Sequence, residues 1–331
     1  MPSTMTDIAR RAGVSLATVG RVLNNSGYAS EETRAKVEAA AAELGYVPNT
    51  MARALKSRRS GIIGSLVVGN ENNLYHRINR HITTAAEKRG YHVITMQARG
   101  DEAFAVQEFI GMRVDGLVVI SDPNVPTELL DKLHQLSIPV IAIERTYDHR
   151  FVDNIEVRDM DATRDVTERL LTLGHRRIAM IAPPPIQSVE KQRIEGFRAA
   201  MEAAGVPRDR QMVQSANSYN VVHGKIAAQA LLSLPEPPTA LVCTSDILAA
   251  GAMQALYEAN LRIPDDISIV GYDNTVAAQL APPIDSVDLD LTNIGDTVFT
   301  LLERRISNPD FEAKTELLGT TYVSRGTTRS L

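Results

Sequence analysis

Two rhythms of apolar positions divide the chain. Up to about residue 46 the apolar residues return at helical spacing in three short stretches. Ile8 and Ala9 point one way before Gly13; Val14 and Val19 bracket the start of a second stretch; Val37, Ala41 and Leu44 share one face of a third, closed by Gly45. Start signals precede each. Thr4 and Asp7 form a capping pair, Ser15 stands before Leu16, and Ser30-Glu31-Glu32-Thr33 places acids on a helix N-terminus. From Gly61 onward the rhythm changes to short continuous apolar runs alternating with helical stretches. The runs are residues 62–68, 91–96, 116–120 and 140–143, then 178–181, 240–243 and 267–270. Such runs predict parallel strands covered on both faces, and two sets of them predict two lobes. The expected class is α/β, with an all-α head in front of a two-lobed parallel body.

Composition changes the picture in one respect only. Hydrophobic content of 44% and charged content of 23% are ordinary for a globular chain of 331 residues. The net charge of −5 is unevenly spread. Residues 1–59 hold nine Lys/Arg against five Asp/Glu, a charge of +4, so the remainder carries −9. A basic head on an acidic body confines a nucleic-acid partner to one end. The single cysteine, Cys243, fits a reducing compartment, and no basic run leads into an apolar core at the N-terminus, so a cytoplasmic protein is expected. No run is long enough for a membrane span.

The first two helical stretches, broken at Gly13-Val14-Ser15, have the pattern of a helix-turn-helix. Leu16, Ala17, Thr18 and Arg21 are the early positions its second helix would present to base edges, and Arg21 can reach a guanine in bidentate fashion. Asn49 to Arg59 is basic, short and free of acids. A helix there would order on the phosphate backbone, with Ala52 and Leu55 at the minor groove. A flexible linker with an incidental leucine fits those residues equally well.

Residues 4–57 closely resemble the head and hinge of the lactose-repressor (LacI-type) family of bacterial transcription regulators. Thr6-Asp7-Ile8-Ala9, Ala12-Gly13-Val14-Ser15, Ala17-Thr18-Val19, Arg21-Val22-Leu23-Asn24 and Glu43-Leu44-Gly45-Tyr46-Val47-Pro48-Asn49 carry the likeness. The resemblance implies that Leu55 pries open the central base step of a near-palindromic operator bound by a homodimer. Its DNA-binding set here is Thr4, Ser15, Leu16, Ala17, Thr18, Arg21, Asn24, Asn49, Ala52, Leu55 and Lys56. One position departs: Gly20 stands where the family usually has serine. The resemblance also implies the organisation of the chain: residues 1–46 a DNA-binding domain, 47–59 a hinge, and 60–331 a periplasmic-binding-protein-like, effector-binding and dimerising body.

In the body, sites belong at the carboxyl ends of strands, between lobes. There lie Asn70 to His76, Ser121-Asp122, Glu144-Arg145, Thr244-Ser245-Asp246 and Gly271-Tyr272-Asp273-Asn274, a polar set suited to a hydroxylated small molecule. Leu173-Gly174-His175-Arg176-Arg177, Arg193-Ile194-Glu195-Gly196-Phe197 and Ile269-Val270-Gly271-Tyr272-Asp273 extend the resemblance. It implies effector roles for Tyr75, Glu144, Arg193, Ser245 and Asp273. Arg158 replaces a usual Asp. Beside Arg193 it would favour an anionic effector such as a sugar acid; paired with Asp159, Asp161 or Glu144 it would never meet ligand. No spacing of His, Cys or carboxylates suggests a metal, and no nucleophile or nucleotide-loop motif suggests an enzyme, so neither catalysis nor a cofactor is expected. The short stretch after Tyr322 has no heptads, which leaves a dimer as the expected assembly. The competing reading is a solute receptor of the periplasmic type with no transcriptional role.

Overall fold

The computed structural model of the protein describes residues 3–23, 27–46, 59–68, 73–98, 100–121, 124–185 and 188–331. It divides into two compact units, residues 1–60 and 61–331. The first unit holds α1 (Met5–Ala12), α2 (Leu16–Leu23) and α3 (Glu31–Glu43). Each start follows from the sequence. Thr4 Oγ1 accepts the Asp7 amide at 3.3 Å while the Thr4 amide donates to Asp7 Oδ2 at 3.0 Å, a complete capping box. The Ser15 and Ser30 hydroxyls accept the amides of Thr18 and Thr33. Gly13 ends α1 at φ 66°, a left-handed turn that glycine adopts without strain. Ile8, Val19, Val22, Val37 and Ala40 form a small core, with Val14 and Leu44 packed against it.

The second unit is built on two six-stranded sheets. The first holds β1 (Ile62–Val68), β2 (His92–Ala98), β3 (Gly116–Ile120), β4 (Val140–Ile143), β5 (Val152–Val157) and β11 (Thr315–Leu318), in the order β11-β5-β4-β3-β1-β2 and parallel throughout. The second holds β6 (Ile178–Ala182), β7 (Met212–Ser215), β8 (Ala240–Cys243), β9 (Ser268–Asp273), β10 (Asp285–Asp288) and β12 (Thr321–Val323), in the order β12-β10-β9-β8-β6-β7. Only β12 runs antiparallel. The helices are α4 (Asn73–Glu87), α5 (Glu102–Gly111), α6 (Thr127–Gln135), α7 (Asp159–Thr172), α8 (Ser188–Ala203), α9 (Val221–Leu232), α10 (Asp246–Glu258) and α11 (Leu291–Ser307). The central strands β3, β4, β6 and β8 are buried at every position, so each needs apolar residues on both faces. In β3, Val118 and Ile120 join the core that continues into the second sheet, while Leu117 and Val119 join the core on the opposite face.

The chain passes from the first lobe to the second at β5–α7, returns at β10–α11, and crosses again between β11 and β12. Strands β5 and β10, which flank crossings, were not among the apolar runs. Both carry buried carboxylates instead. Asp153 on β5 takes a bidentate pair from Arg305 of α11, at 2.8 and 2.9 Å, with both side chains out of solvent. Asp285 on β10 accepts the Tyr322 hydroxyl and the amides of Gly326 and Thr327, which pins the C-terminal segment. A buried carboxylate met by hydrogen bonds thus sits among the apolar residues of both strands, beside Val152, Ile155 and Val157 on β5 and Val287 on β10.

Candidate functional site

In the first unit, the residues expected to face DNA lie on one side of α2. Leu16 is 52% exposed, Ala17, Ser15 and Arg21 are exposed, and Thr18 is half-buried. A leucine left in solvent beside a capped helix start is what a groove-reading surface requires, since its own core is already filled by Val19 and Val22. Arg21 lies along the helix, its Nε 3.4 Å from the Ala17 carbonyl. Thr4 is exposed and committed to its cap, and its hydrogen bonds hold the Asp7 carboxyl below the usual carboxylate range. Asn24, Asn49, Ala52, Leu55 and Lys56 lie outside the described residues, so the hinge expectation stands untouched by the structure.

In the second unit, the carboxyl ends of both sheets meet around one arginine. Arg193 projects from α8 and is 1% exposed. Its Nε donates to Asp159 Oδ1 at 2.7 Å, its Nη1 donates to the Thr244 carbonyl at 2.8 Å, and Nη1 lies 3.6 Å from Asp273 Oδ1. The guanidinium stacks 4.0 Å over the Tyr272 ring, and the Tyr272 hydroxyl donates to the same Asp159 oxygen at 2.8 Å. Burial works against a charged Arg193, but Asp159, Tyr272 and Asp273 together raise its pKa further, so it stays a fixed cation.

The first lobe supplies Tyr75 from α4, Ser121 after β3 and Glu144 after β4, all buried. Burial pushes the Glu144 carboxyl up to about 7; Arg193 pulls it down and Asp159 pushes it up, so Glu144 is within electrostatic reach across the lobes. The Tyr75 hydroxyl lies toward Glu144 and Ser121, yet neither Glu144 oxygen nor Ser121 Oγ meets a hydrogen bond of good geometry. Asp273 Oδ1 and Glu190 Oε2 also lack one. Burial raises the Asp273 carboxyl well above its ordinary range despite Arg193. Ser121, Glu144 and Asp273 all hold positive φ (72°, 64° and 86°), which costs about 1–3 kcal/mol each and is typical of residues constrained for a site.

The structure therefore brings together Tyr75, Glu144, Arg193 and Asp273. It does not bring Arg158 to them. That side chain is 53% exposed at the start of α7 and pairs with Asp161 at 3.5 Å. Rotation by one position along the chain explains the difference: Asp159, the neighbour, is the residue turned inward. Without a second guanidinium in the crevice, the case for an anionic effector loses its support. Ser245 is buried but spends its hydroxyl capping α10, accepting the Leu248 amide at 3.2 Å. Next to it, Asp246 accepts the amides of Val276 and Ala277 at 3.0 Å and the Ser286 hydroxyl at 2.6 Å, which fixes the loop beyond Asp273.

Sequence reasoning missed Asp159 as the arginine's anchor, and also Glu190 and Tyr219, whose hydroxyl donates to Glu190 Oε1 at 3.0 Å. One signal was available. Glu190 precedes Arg193 by three residues and so shares its face of α8. A hollow of about 470 Å³ lies on another face of α8, beside Pro183, Lys191 and Arg198 and at the carboxyl ends of β6 and β7, and none of the buried cluster's residues line it. Among the described residues no group of His, Cys, Asp or Glu is arranged to hold a metal ion, and no helix is long and apolar enough to cross a membrane.

Comparison with known proteins covers both units. Residues 4–49 match the model of bacterial regulatory proteins, lacI family, and residues 167–328 match the periplasmic binding protein-like domain. The chain is 32% identical over 331 residues to the ribose operon repressor of Escherichia coli (strain K12), covering 98% of this chain and 99% of the relative. It is 30% identical over 330 residues to the probable HTH-type transcriptional repressor ExuR of Bacillus subtilis (strain 168), covering 99% of each. Among solved structures, the lac repressor dimer bound to operator and the anti-inducer ONPF matches with a TM-score of 0.83 at 28% identity, covering 99% of this chain and 100% of that one.

Proposed function

Because the chain belongs to the lacI family of bacterial regulatory proteins, it is a sequence-specific DNA-binding transcription regulator, and we propose that it is a homodimeric repressor switched by a hydroxylated small molecule. Residues 1–46 read DNA, residues 47–59 are the hinge, and residues 60–331 bind effector and dimerise. It acts in the cytoplasm and is not an enzyme. The observation that carries this reading is the buried cluster itself. Arg193 and Asp273 of one lobe and Glu144 of the other converge at the carboxyl ends of two parallel sheets, where such folds bind ligands.

Helix α2 enters the major groove of each half of a near-palindromic operator, with Arg21 reading a base and the hinge leucine Leu55 wedged into the minor groove. Exposed Phe104 on α5, Val222 and Ile226 on α9, and Tyr257 on α10 supply apolar surface for a second copy. A ligand that bridges Glu144 and Arg193 changes how the lobes close, and the hinges of the dimer follow. DNA affinity and effector affinity are then coupled reciprocally. Mobility shifts and calorimetry on Leu55→Ala and Arg193→Ala test this. The first should lose operator affinity and keep effector binding; the second should keep operator affinity without effector and lose the response. Equal losses in both assays for both variants would defeat the scheme.

A further inference from the structure

The crevice holds four carboxylates and one guanidinium. Arg193 is engaged by Asp159 at 2.7 Å and Asp273 at 3.6 Å, so its charge is already matched. Glu190 receives the Tyr219 hydroxyl on one oxygen and nothing on the other. Glu144, 8% exposed, has no hydrogen bond of good geometry on either oxygen. Asp273 Oδ1 is likewise unbonded. Ionised carboxylates only accept hydrogen bonds. The cluster therefore lacks positive charge at the end formed by Glu144 and Glu190, where the donors beside the carboxylates are the uncharged Tyr75 and Tyr219 hydroxyls. A sugar acid or sugar phosphate would add acceptors and like charge where both are already in excess. A neutral polyol would supply donors without charge. An ammonium supplies three donors and the missing charge together.

We propose, resting on the crevice reading above, that the effector is a hydroxylated molecule carrying a cationic amino group. Its ammonium lies between Glu144 and Glu190, and Asp273 and Ser121 receive its hydroxyls. Glu144 is faced by Tyr75 of α4, itself beside Ser121 after β3, by Arg193 and Glu190 of α8, by Asp159 at the start of α7 and by Asp273 of β9. With its carboxyl near 7 in the free protein, an ammonium must displace a proton to pair with it. Affinity for the amine therefore rises from about pH 6 to just above pH 7, until the amine begins to lose its own proton.

Three small polyols of nearly equal shape separate the possibilities: tris(hydroxymethyl)aminomethane, pentaerythritol and 2,2-bis(hydroxymethyl)propionate. Calorimetry on the full chain in an amine-free buffer should rank the amine first by at least about tenfold and the carboxylate last. Glu144→Gln should erase the amine's advantage and its rise with pH. Glu190→Gln should reduce the advantage, which keeps the test alive if the first variant folds poorly. Equal or tighter binding of the neutral or anionic compound, or an unchanged order in Glu144→Gln, overturns the inference while leaving the crevice as an effector site. Failure of all three to bind, with operator affinity indifferent to them, overturns the crevice reading as well.

Discussion

Arg193 Nε and Asp159 Oδ1 lie 2.7 Å apart, both side chains almost wholly buried, although 34 residues separate them in the chain. This pair joins the crossover helix α7 to the site helix α8. Removing one partner of a buried pair leaves an uncompensated charge, which costs about 3–5 kcal/mol. Arg193→Ala is expected to destabilise the body by that amount in urea unfolding. It should also abolish the effect of effector on operator binding at temperatures where the protein remains folded. A loss below about 1 kcal/mol would mean that water reaches the site and the pair is effectively exposed.

The same pair depends on a glycine that touches no charge. A Cβ on Gly196 would sit 2.2 Å from the Met160 carbonyl oxygen and 3.1 Å from the Arg164 amide. Both are backbone atoms and cannot swing aside, so α8 approaches α7 closely only because residue 196 has no side chain. Gly196→Ala must push the helices apart and draw Arg193 away from Asp159. The expected cost is at least about 1–3 kcal/mol. Calorimetry should also show weakened effector binding, although Gly196 itself never meets the ligand. Full effector affinity in a folded Gly196→Ala protein would show that the Arg193 pair does not position the site.

Glu144 gives the body a pH dependence of defined sign. Burial raises its carboxyl to about 7 from an ordinary 4.5, so between those values the folded state holds a proton that the unfolded state has released. Stability is greatest below about pH 4.5 for this group and falls as pH rises through about 7, by on the order of 3 kcal/mol. Asp273, also raised by burial, acts in the same direction. The stability of Glu144→Gln relative to the parent should therefore improve from about pH 5 to about pH 7 and level off above it. Parallel unfolding midpoints across that range would show that Glu144 is ionised at little cost.

How much of this was visible in the sequence divides along a physical line. Local rules recovered the capped starts at Thr4, Ser15 and Ser30, and the strands β3, β4, β6 and β8, because a cap spans three residues and a buried strand is simply apolar. Tyr75, Glu144, Arg193 and Asp273 could be named from strand ends and family resemblance. What stayed hidden was pairing at a distance. β5 and β10 look polar until Arg305 reaches Asp153 and Tyr322 reaches Asp285. Asp159 looks like a helix-start acid until Tyr272, 113 residues on, donates to it. The choice between Arg158 and Asp159 was a question of which neighbour turns inward, and only the packing of α7 on α8 decides that.

Gly20 is the one departure in the head, and its surroundings do not demand it. It lies inside α2 without positive φ, and a Cβ there would meet only Met5 Cε, at 3.6 Å, an ordinary contact. Glycine within a helix costs about 0.5–1 kcal/mol relative to alanine because more backbone freedom is lost on folding. The head's core is small, five buried side chains, so such an increment is a large share of its stability. Gly20→Ala should raise the unfolding temperature of the head by roughly 2–8 °C, read as the first transition in calorimetry of the full chain. Operator affinity should hold or improve, since Ala17 and Arg21 keep their places on the exposed face. A stabilised head that binds operator less well would instead assign Gly20 to the DNA contact, with the missing side chain making room for the phosphate backbone.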